Sequence, residues 1–303
     1  MFQDIRRGWA AVNGPERVFV MKNVIITGAN SGLGFETAKK IAANKDYKVI
    51  LACRNMEKAE AAKNAILAET GSRNVETMQL DTSSLDSVRS FAEKVTASGE
   101  KIYSLVCNAG ISSRGNSGLT ADGFDIVFET NYLGHFLLAQ LLLPCMEEDG
   151  RIYNVSSDMH NPPGGLTWPG IEAVAHPAGE ERRNYSYSKL CMIYMAHELS
   201  RKLAAEGSKV TVNCFNPGFM GDTNFMKGPK FSGFVVKHTM PDRSGDLRKS
   251  SDALAELVTG ERFGGYSGEY FDRSVETAKS SELSYNKENE KEVWEASLRY
   301  VMA

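Results

Sequence analysis

The chain has no surplus of either charge. Its 35 Lys and Arg stand against 38 Asp and Glu, a net charge of −3, so it lacks the basic footprint of a nucleic-acid binder. It also lacks any uninterrupted apolar run near the roughly 20 residues that cross a bilayer. Its most apolar helical stretch, Leu133 to Met146, is too short. Cysteine is sparse: Cys53, Cys107, Cys145, Cys191 and Cys214 are odd in number and scattered. Their spacing fits neither a disulfide framework nor a metal or redox motif, and a reduced, cytoplasmic protein is expected. The five histidines are equally dispersed and offer no metal site. No repeat or low-complexity tract interrupts the chain.

What remains is an ordinary globular composition, 42% hydrophobic and 24% charged. Residues 1–21 lack the charged, apolar, then small pattern of a signal peptide and read as an N-terminal extension. From residue 22 to residue 303 strands alternate with helices. Strands are expected at 24–26, 48–53, 75–80, 103–107, 151–155, 209–215 and near 270–271. Helices are expected at 56–69, 84–97, 121–146, 185–205 and 288–300. That rhythm predicts right-handed βαβ units and one α/β domain, a Rossmann-type doubly wound parallel sheet covered on both faces. Two segments break the rhythm. Residues 158–184 are rich in Pro and Gly, and 218–250 in Gly, Phe, Met and Lys. Loops of that length are usually functional, here as substrate loops.

Thr27-Gly28-Ala29-Asn30-Ser31-Gly32-Leu33-Gly34 follows the first strand and opens a helix. Glycines let backbone approach a pyrophosphate, and the helix N-terminus supplies free N–H groups and partial positive charge. The strand–turn–helix setting makes this a dinucleotide site. At the end of the second strand, where an acidic residue would bind a free ribose diol, stands Cys53-Arg54-Asn55. Arg54 can fork onto a 2′-phosphate, which favours NADP(H) over NAD(H); otherwise it is a solvated residue at a helix start. Asp81, past the third strand, is either an acceptor for the adenine amino group or a helix cap.

Tyr185 and Lys189 share a helix face at i and i+4. A cation beside a phenol favours the phenolate, so Lys189 is expected to pull the Tyr185 pKa below about 10 and ready it for proton transfer. Tyr187, a second phenol in the motif, has no lysine at i+4.

Taken together, these residues resemble the short-chain dehydrogenase/reductase family over about residues 22–301. The glycine turn matches TGxxxGxG, and Asn108-Ala109-Gly110 matches NAG. Asn131 falls at the helix-borne asparagine, Asn154-Val155-Ser156-Ser157 at the serine strand end, and Tyr185 with Lys189 at YxxxK. Pro217-Gly218 follows the sixth strand. Ala52-Cys53-Arg54, the run from Thr130 to Phe136, and the C-terminal Ser280 to Tyr285 with Val293-Trp294-Glu295 resemble the retinol dehydrogenase and protochlorophyllide reductase branch. The resemblance implies that Tyr185 donates a proton and that Lys189 lowers its pKa and binds the nicotinamide ribose. Ser157, rather than Ser156, holds the substrate oxygen, and Asn131 holds a relay water. Gly28, Asn30, Ser31, Gly32, Leu33, Gly34, Arg54, Asp81, Asn108, Pro217 and Gly218 complete the cofactor site. It also implies that the helices at 121–146 and 185–205 could pair in a homo-oligomer.

Two departures narrow the expectation. No cysteine lies in 158–184, where the pigment reductases carry a functional one. The nicotinamide-contacting threonine is displaced, with Asp222 at its place and Thr223 one beyond. The expected activity is NADP(H)-dependent hydride transfer to or from a carbonyl or alcohol. An apolar small molecule is the expected substrate, from Phe219, Met220, Phe225, Met226, Phe231, Phe234 and Val235. Reduction of a pigment-like ring double bond and non-catalytic dinucleotide sensing are the alternatives.

Overall fold

A computed structural model describes residues 21–179, 183–220 and 243–302. The leader 1–20, Asp222, Thr223 and the expected lid residues Phe225, Met226, Phe231, Phe234 and Val235 lie outside the described residues.

The sheet follows from Val- and Ile-rich runs too apolar to face water on either side. Strands β1 (Lys22–Thr27), β2 (Tyr47–Cys53), β3 (Val75–Gln79), β4 (Ile102–Cys107), β5 (Met146–Val155), β6 (Thr211–Asn216), β7 (Tyr270–Asp272) and β8 (Thr277–Ala278) form one sheet in the order 3-2-1-4-5-6-7-8. All pairings are parallel except β7 with β8. This is the doubly wound order, which reverses direction beside β1 and opens a crevice at the carboxyl ends of β1 and β4.

Helices pack on both faces: α1 (Gly32–Ala42), α2 (Met56–Thr70), α3 (Leu85–Ser98), α4 (Ile126–Phe128), α5 (Gly134–Leu142), α6 (Ile171–Ala175), α7 (Asn184–Ala205), α8 (Leu247–Thr259) and α9 (Lys287–Met302). Their ends are written in sequence. Asn55 and Ser84 accept hydrogen bonds from backbone N–H groups at the starts of α2 and α3, and Gly71 and Gly99 end those helices in the left-handed conformation. Leu85, Val88, Phe91 and Val95 put the apolar face of α3 into the core as expected. Burying a side chain of that size is worth about 1.5–3 kcal/mol.

Some expectations change. The helix placed at 121–146 begins at Ile126 and contains a π-helical turn, Glu129–Leu133. With its last turn it runs from Ile126 to Cys145, 20 residues that include an 18-residue stretch of mean hydropathy 1.3, and among the described residues it alone is long and apolar enough to cross a membrane. Of that stretch 78% is buried within the protein, as in a core helix. Strand β5 starts at Met146 rather than 151. Residues 247–259, assigned in part to a loop, form α8, capped by Asp246. Helix α9 packs against α5 and the π-helical turn that precedes it. Trp294 packs edge-on against Phe136 with ring centroids 5.1 Å apart, and Tyr132 Oη lies 2.8 Å from Ser297 Oγ.

Candidate active site

Residues from the ends of β1, β4, β5 and β6 and the start of α7 line a cleft of about 530 Å³. It brings together Gly28, Ser31, Gly32, Leu33, Asn108, Ser157, Tyr185, Lys189, Pro217 and Gly218. Gly28 has φ +65°, and a Cβ there would lie 2.9 Å from the Ala109 backbone, so the turns that follow β1 and β4 can meet here only through glycine. At Gly34 a Cβ would meet Asn108 Nδ2 at 2.5 Å. The turn is therefore packed onto Asn108, whose Nδ2 donates to Thr27 O at 2.8 Å. Unlike α2 and α3, α1 has no side-chain cap at its first residue, and its first turn carries no acidic group. Its free N–H groups and dipole suit a phosphate.

The expected residues absent from the cleft wall stand just behind or beside it. The N–H groups of Ala29 and Asn30 point to the buried thiol of Cys53. Arg54, with a side chain 66% exposed, has its Nε 3.9 Å from Asp81 Oδ2. Asp81 in turn accepts from the N–H and hydroxyl of Ser83. The two sit at the ends of β2 and β3, flanking the glycine turn on the side away from Tyr185.

Asn131 lies in the π-helical turn, where such irregularities often mark functional sites. Its Oδ1 accepts from Ile111 N–H at 2.7 Å, and its Nδ2 donates to Ile111 O and Ser188 Oγ, each at 3.0 Å. It thereby joins the loop after β4 to α7 one residue before Lys189.

The two serines at the end of β5 differ. Ser156 is buried and its hydroxyl donates to Lys189 O at 2.9 Å, a structural bond. Ser157 faces the cleft beside Tyr185, and its hydroxyl is near enough to favour the ionised phenol. Tyr187 turns away and donates to Thr167 O at 3.2 Å. The Lys189 ammonium is buried, donates to Val155 O at 2.8 Å and stands 5.8 Å from the Tyr185 ring centroid.

The electrostatics differ from the expectation that Lys189 would depress the phenol. Burial pushes Tyr185 up to about 12, the Ser157 hydrogen bond partly opposes this, and the Asp158 charge adds to it. Lys189 is itself pulled down to about 8 by burial. Its ammonium lies over the ring and is not among the groups that set the phenol's pKa, which burial dominates. As the site stands, Tyr185 is a protonated phenol, not a phenolate. Among the described residues no cluster of metal-ligating side chains occurs.

Sequence reasoning did not single out Ser112, Ser113, Met159 and Ser186, which also line the cleft. Ser113 accepts from Tyr185 N–H at 3.1 Å and also borders a second cavity of about 1000 Å³. No local pattern marks these residues, because their role depends on where the loop after β4 lands.

Comparison with known proteins agrees with this geometry. The family described as short chain dehydrogenase matches residues 22–167. Mouse (Mus musculus) retinol dehydrogenase 13 is 36% identical over 286 residues, 92% of this chain and 84% of that protein. Human (Homo sapiens) WW domain-containing oxidoreductase is 41% identical over 216 residues, 69% of this chain and 51% of that protein. Among solved structures, an uncharacterized protein from Mycobacterium paratuberculosis superposes with a TM-score of 0.69 at 28% identity, covering 94% of this chain and 95% of that one.

Proposed function

The chain belongs to the short-chain dehydrogenase/reductase family, in its retinol dehydrogenase branch, and on that premise we propose that it is an NADP(H)-dependent oxidoreductase acting on a carbonyl or alcohol of an apolar small molecule. The observation that carries the reading is one cleft lined by Ser157, Tyr185, Lys189 and the glycine turn. Two hydroxyls converging on one point can hold a carbonyl oxygen, and one of them can protonate it as negative charge develops.

When bound, the dinucleotide supplies or accepts the hydride. The uncapped start of α1 and the Gly28–Gly34 turn would hold its pyrophosphate, and Arg54 its 2′-phosphate. The chain's own work is the remainder. Tyr185, protonated at neutral pH, gives its proton to the substrate oxygen in reduction. Ser157 orients that oxygen, and Lys189 places a positive charge beside the site while its pKa near 8 keeps it charged at neutrality. Asn131 fixes the loop and helix that flank Lys189.

The apolar substrate class is supported by Phe219 and Met220 on the cleft wall and by relatives named for retinol. Five buried, free cysteines support a reducing, cytoplasmic setting. The test is NADPH oxidation, with NADH in parallel, against a panel of aliphatic, aromatic and polyene aldehydes and ketones. Turnover of an apolar carbonyl with NADPH preferred is expected; tight cofactor binding with no turnover would favour a dinucleotide sensor.

A further inference from the structure

We propose that His135 is a positioning residue. As a neutral imidazole protonated on Nδ1, it ties the Asn131 carbonyl in the π-helical turn to the Thr27 hydroxyl at the end of β1. His135 is fully buried, with Nε2 2.9 Å from Thr27 Oγ1 and Nδ1 3.0 Å from Asn131 O. Counting protons and lone pairs fixes the direction of each bond. Thr27 Oγ1 accepts from the N–H groups of Asn108 and Ala109, both at 2.8 Å. A hydroxyl has two lone pairs and one proton, so Thr27 has only its proton left to give. The nearer acceptor is His135 Nε2, since Val106 O lies at 3.4 Å. Nε2 therefore presents a lone pair, and the ring proton sits on Nδ1. At the other end the Asn131 carbonyl can only accept, which independently requires a proton on Nδ1. Burial and the Lys189 charge agree, holding the ring neutral with a pKa near 4.

The register of the helix creates the opening. Gly134 N–H reaches back to Glu129 O, one residue further than in an α-helix. Within that turn His135 Nδ1 donates to the Asn131 carbonyl. The result is a closed circuit beneath the cleft. It runs from Thr27 through Asn108 and Ala109 to Ile111, on to Asn131, and back through His135. One arm carries the cofactor turn and the other the asparagine beside Lys189.

The proposal goes beyond the hydride-transfer reading but uses its assignment of Asn131 and Lys189. Three substitutions divide its two ends. In His135→Asn the amide nitrogen falls near the Nδ1 position and keeps the Asn131 bond. In His135→Gln the amide oxygen falls near Nε2 and keeps the Thr27 bond, and His135→Leu keeps neither. Losing one buried hydrogen bond should appear as about a tenfold change. His135→Asn is expected to weaken the NADPH dissociation constant with kcat retained, and His135→Gln to lower kcat with the dissociation constant retained. His135→Leu should lose both. Equal losses in all three, in step with melting temperature, would mean core packing alone and overturn the proposal, as would a wild-type His135→Leu. The ¹⁵N spectrum of His135 in the intact protein must show protonation at Nδ1 across neutral pH, and the other tautomer would sink the idea. If the protein turned over no carbonyl, the hydride-transfer reading would fail. The tautomer and the order of the dissociation constants would still decide this one.

Discussion

On the cofactor side of the cleft, Thr27 to Gly34 are held by partners in the same few strands: Ala109 against Gly28, Asn108 against Gly34, and Thr27 against both N–H groups of the NAG segment. On the substrate side the partners are remote. Trp168 Nε1 donates to Glu292 Oε2 at 2.8 Å, Ile171 N–H donates to Glu292 Oε1 at 2.9 Å, and Arg243 reaches Asn161 O at 2.9 Å. His160 Nε2 accepts from Ser281 N–H at 3.1 Å. Two short motifs encode the first wall, the glycine turn and the Asn108-Ala109 pair, which meet at the ends of the adjacent strands β1 and β4. The second wall is held mainly by the C-terminal Ser281 and Glu292, more than 120 residues away in sequence. The expected substrate segment is thus a pinned part of the fold, while Ser157 and Tyr185, the proposed reacting groups, stand at the seam between the two walls.

The largest test of that division is at the seam. Tyr185→Phe removes the proton donor and should lower kcat by about 10²–10⁴, the usual worth of a general acid. Tyr187→Phe, which loses the Thr167 bond, should stay within about fivefold, since a net neutral hydrogen bond is worth about 1 kcal/mol at most sites. NADPH-oxidation kinetics on the same carbonyl would check both; equal losses would remove Tyr185 from its role. Next comes the serine pair. Ser157→Ala should cost about 10²-fold in kcat, as for a lost oxyanion donor. Ser156→Ala, which breaks a buried bond to Lys189 O, should instead lower the melting temperature. On the cofactor wall, Arg54→Ala removes the only expected phosphate fork. It should reduce kcat/KM for NADPH by about tenfold or more while leaving NADH unchanged, the worth of a charge-assisted bond. An equal loss with both cofactors would return Arg54 to a solvated helix start.

The same contrast explains what could be read in advance. The sheet, the glycine turn, Ser157, Tyr185 and Lys189 are legible because each depends on neighbours within a strand or a turn of helix. The π-helical turn at Asn131 is not, because an extra residue in a helix changes hydrogen-bond register without changing apolar period. Helix α8 is hidden inside an apparent loop because two buried serines, Ser250 and Ser251, interrupt its apolar face. Asp246, which accepts from the N–H groups of Arg248 and Lys249, is the start signal that marks it. The direction of the Tyr185 shift was misread for a related reason. Sequence spacing gives the Lys189 charge but not the depth of burial, and burial wins.

That misreading has a pH consequence at the seam. Lys189, pulled down from 10.5 to about 8, is an ammonium below that pH and neutral above it. Tyr185, at about 12, keeps its proton throughout. Carbonyl reduction should therefore hold steady through neutrality and fall above about pH 8, as the positive charge beside the substrate oxygen is lost. A limb that appears only near pH 10 or above would mean that Lys189 keeps its solution value and that burial has been overweighted.

The smallest effect tests whether the substrate wall is fully satisfied. Asn184, 1% exposed at the start of α7, has both side-chain amide atoms buried with no hydrogen-bond partner among the described residues. It borders the second cavity, which shares Ser113 with the cleft. An unmet buried amide costs about 1–3 kcal/mol, and an apolar group of similar shape does not carry that penalty. Asn184→Leu should therefore raise stability by about 1 kcal/mol, which in a chain of this size moves the melting temperature up by about 2 °C. Differential scanning calorimetry on the purified protein would read it. A fall of similar size would show that the amide is paired with water in solution, and the substrate wall would then be as fully bonded as the cofactor wall.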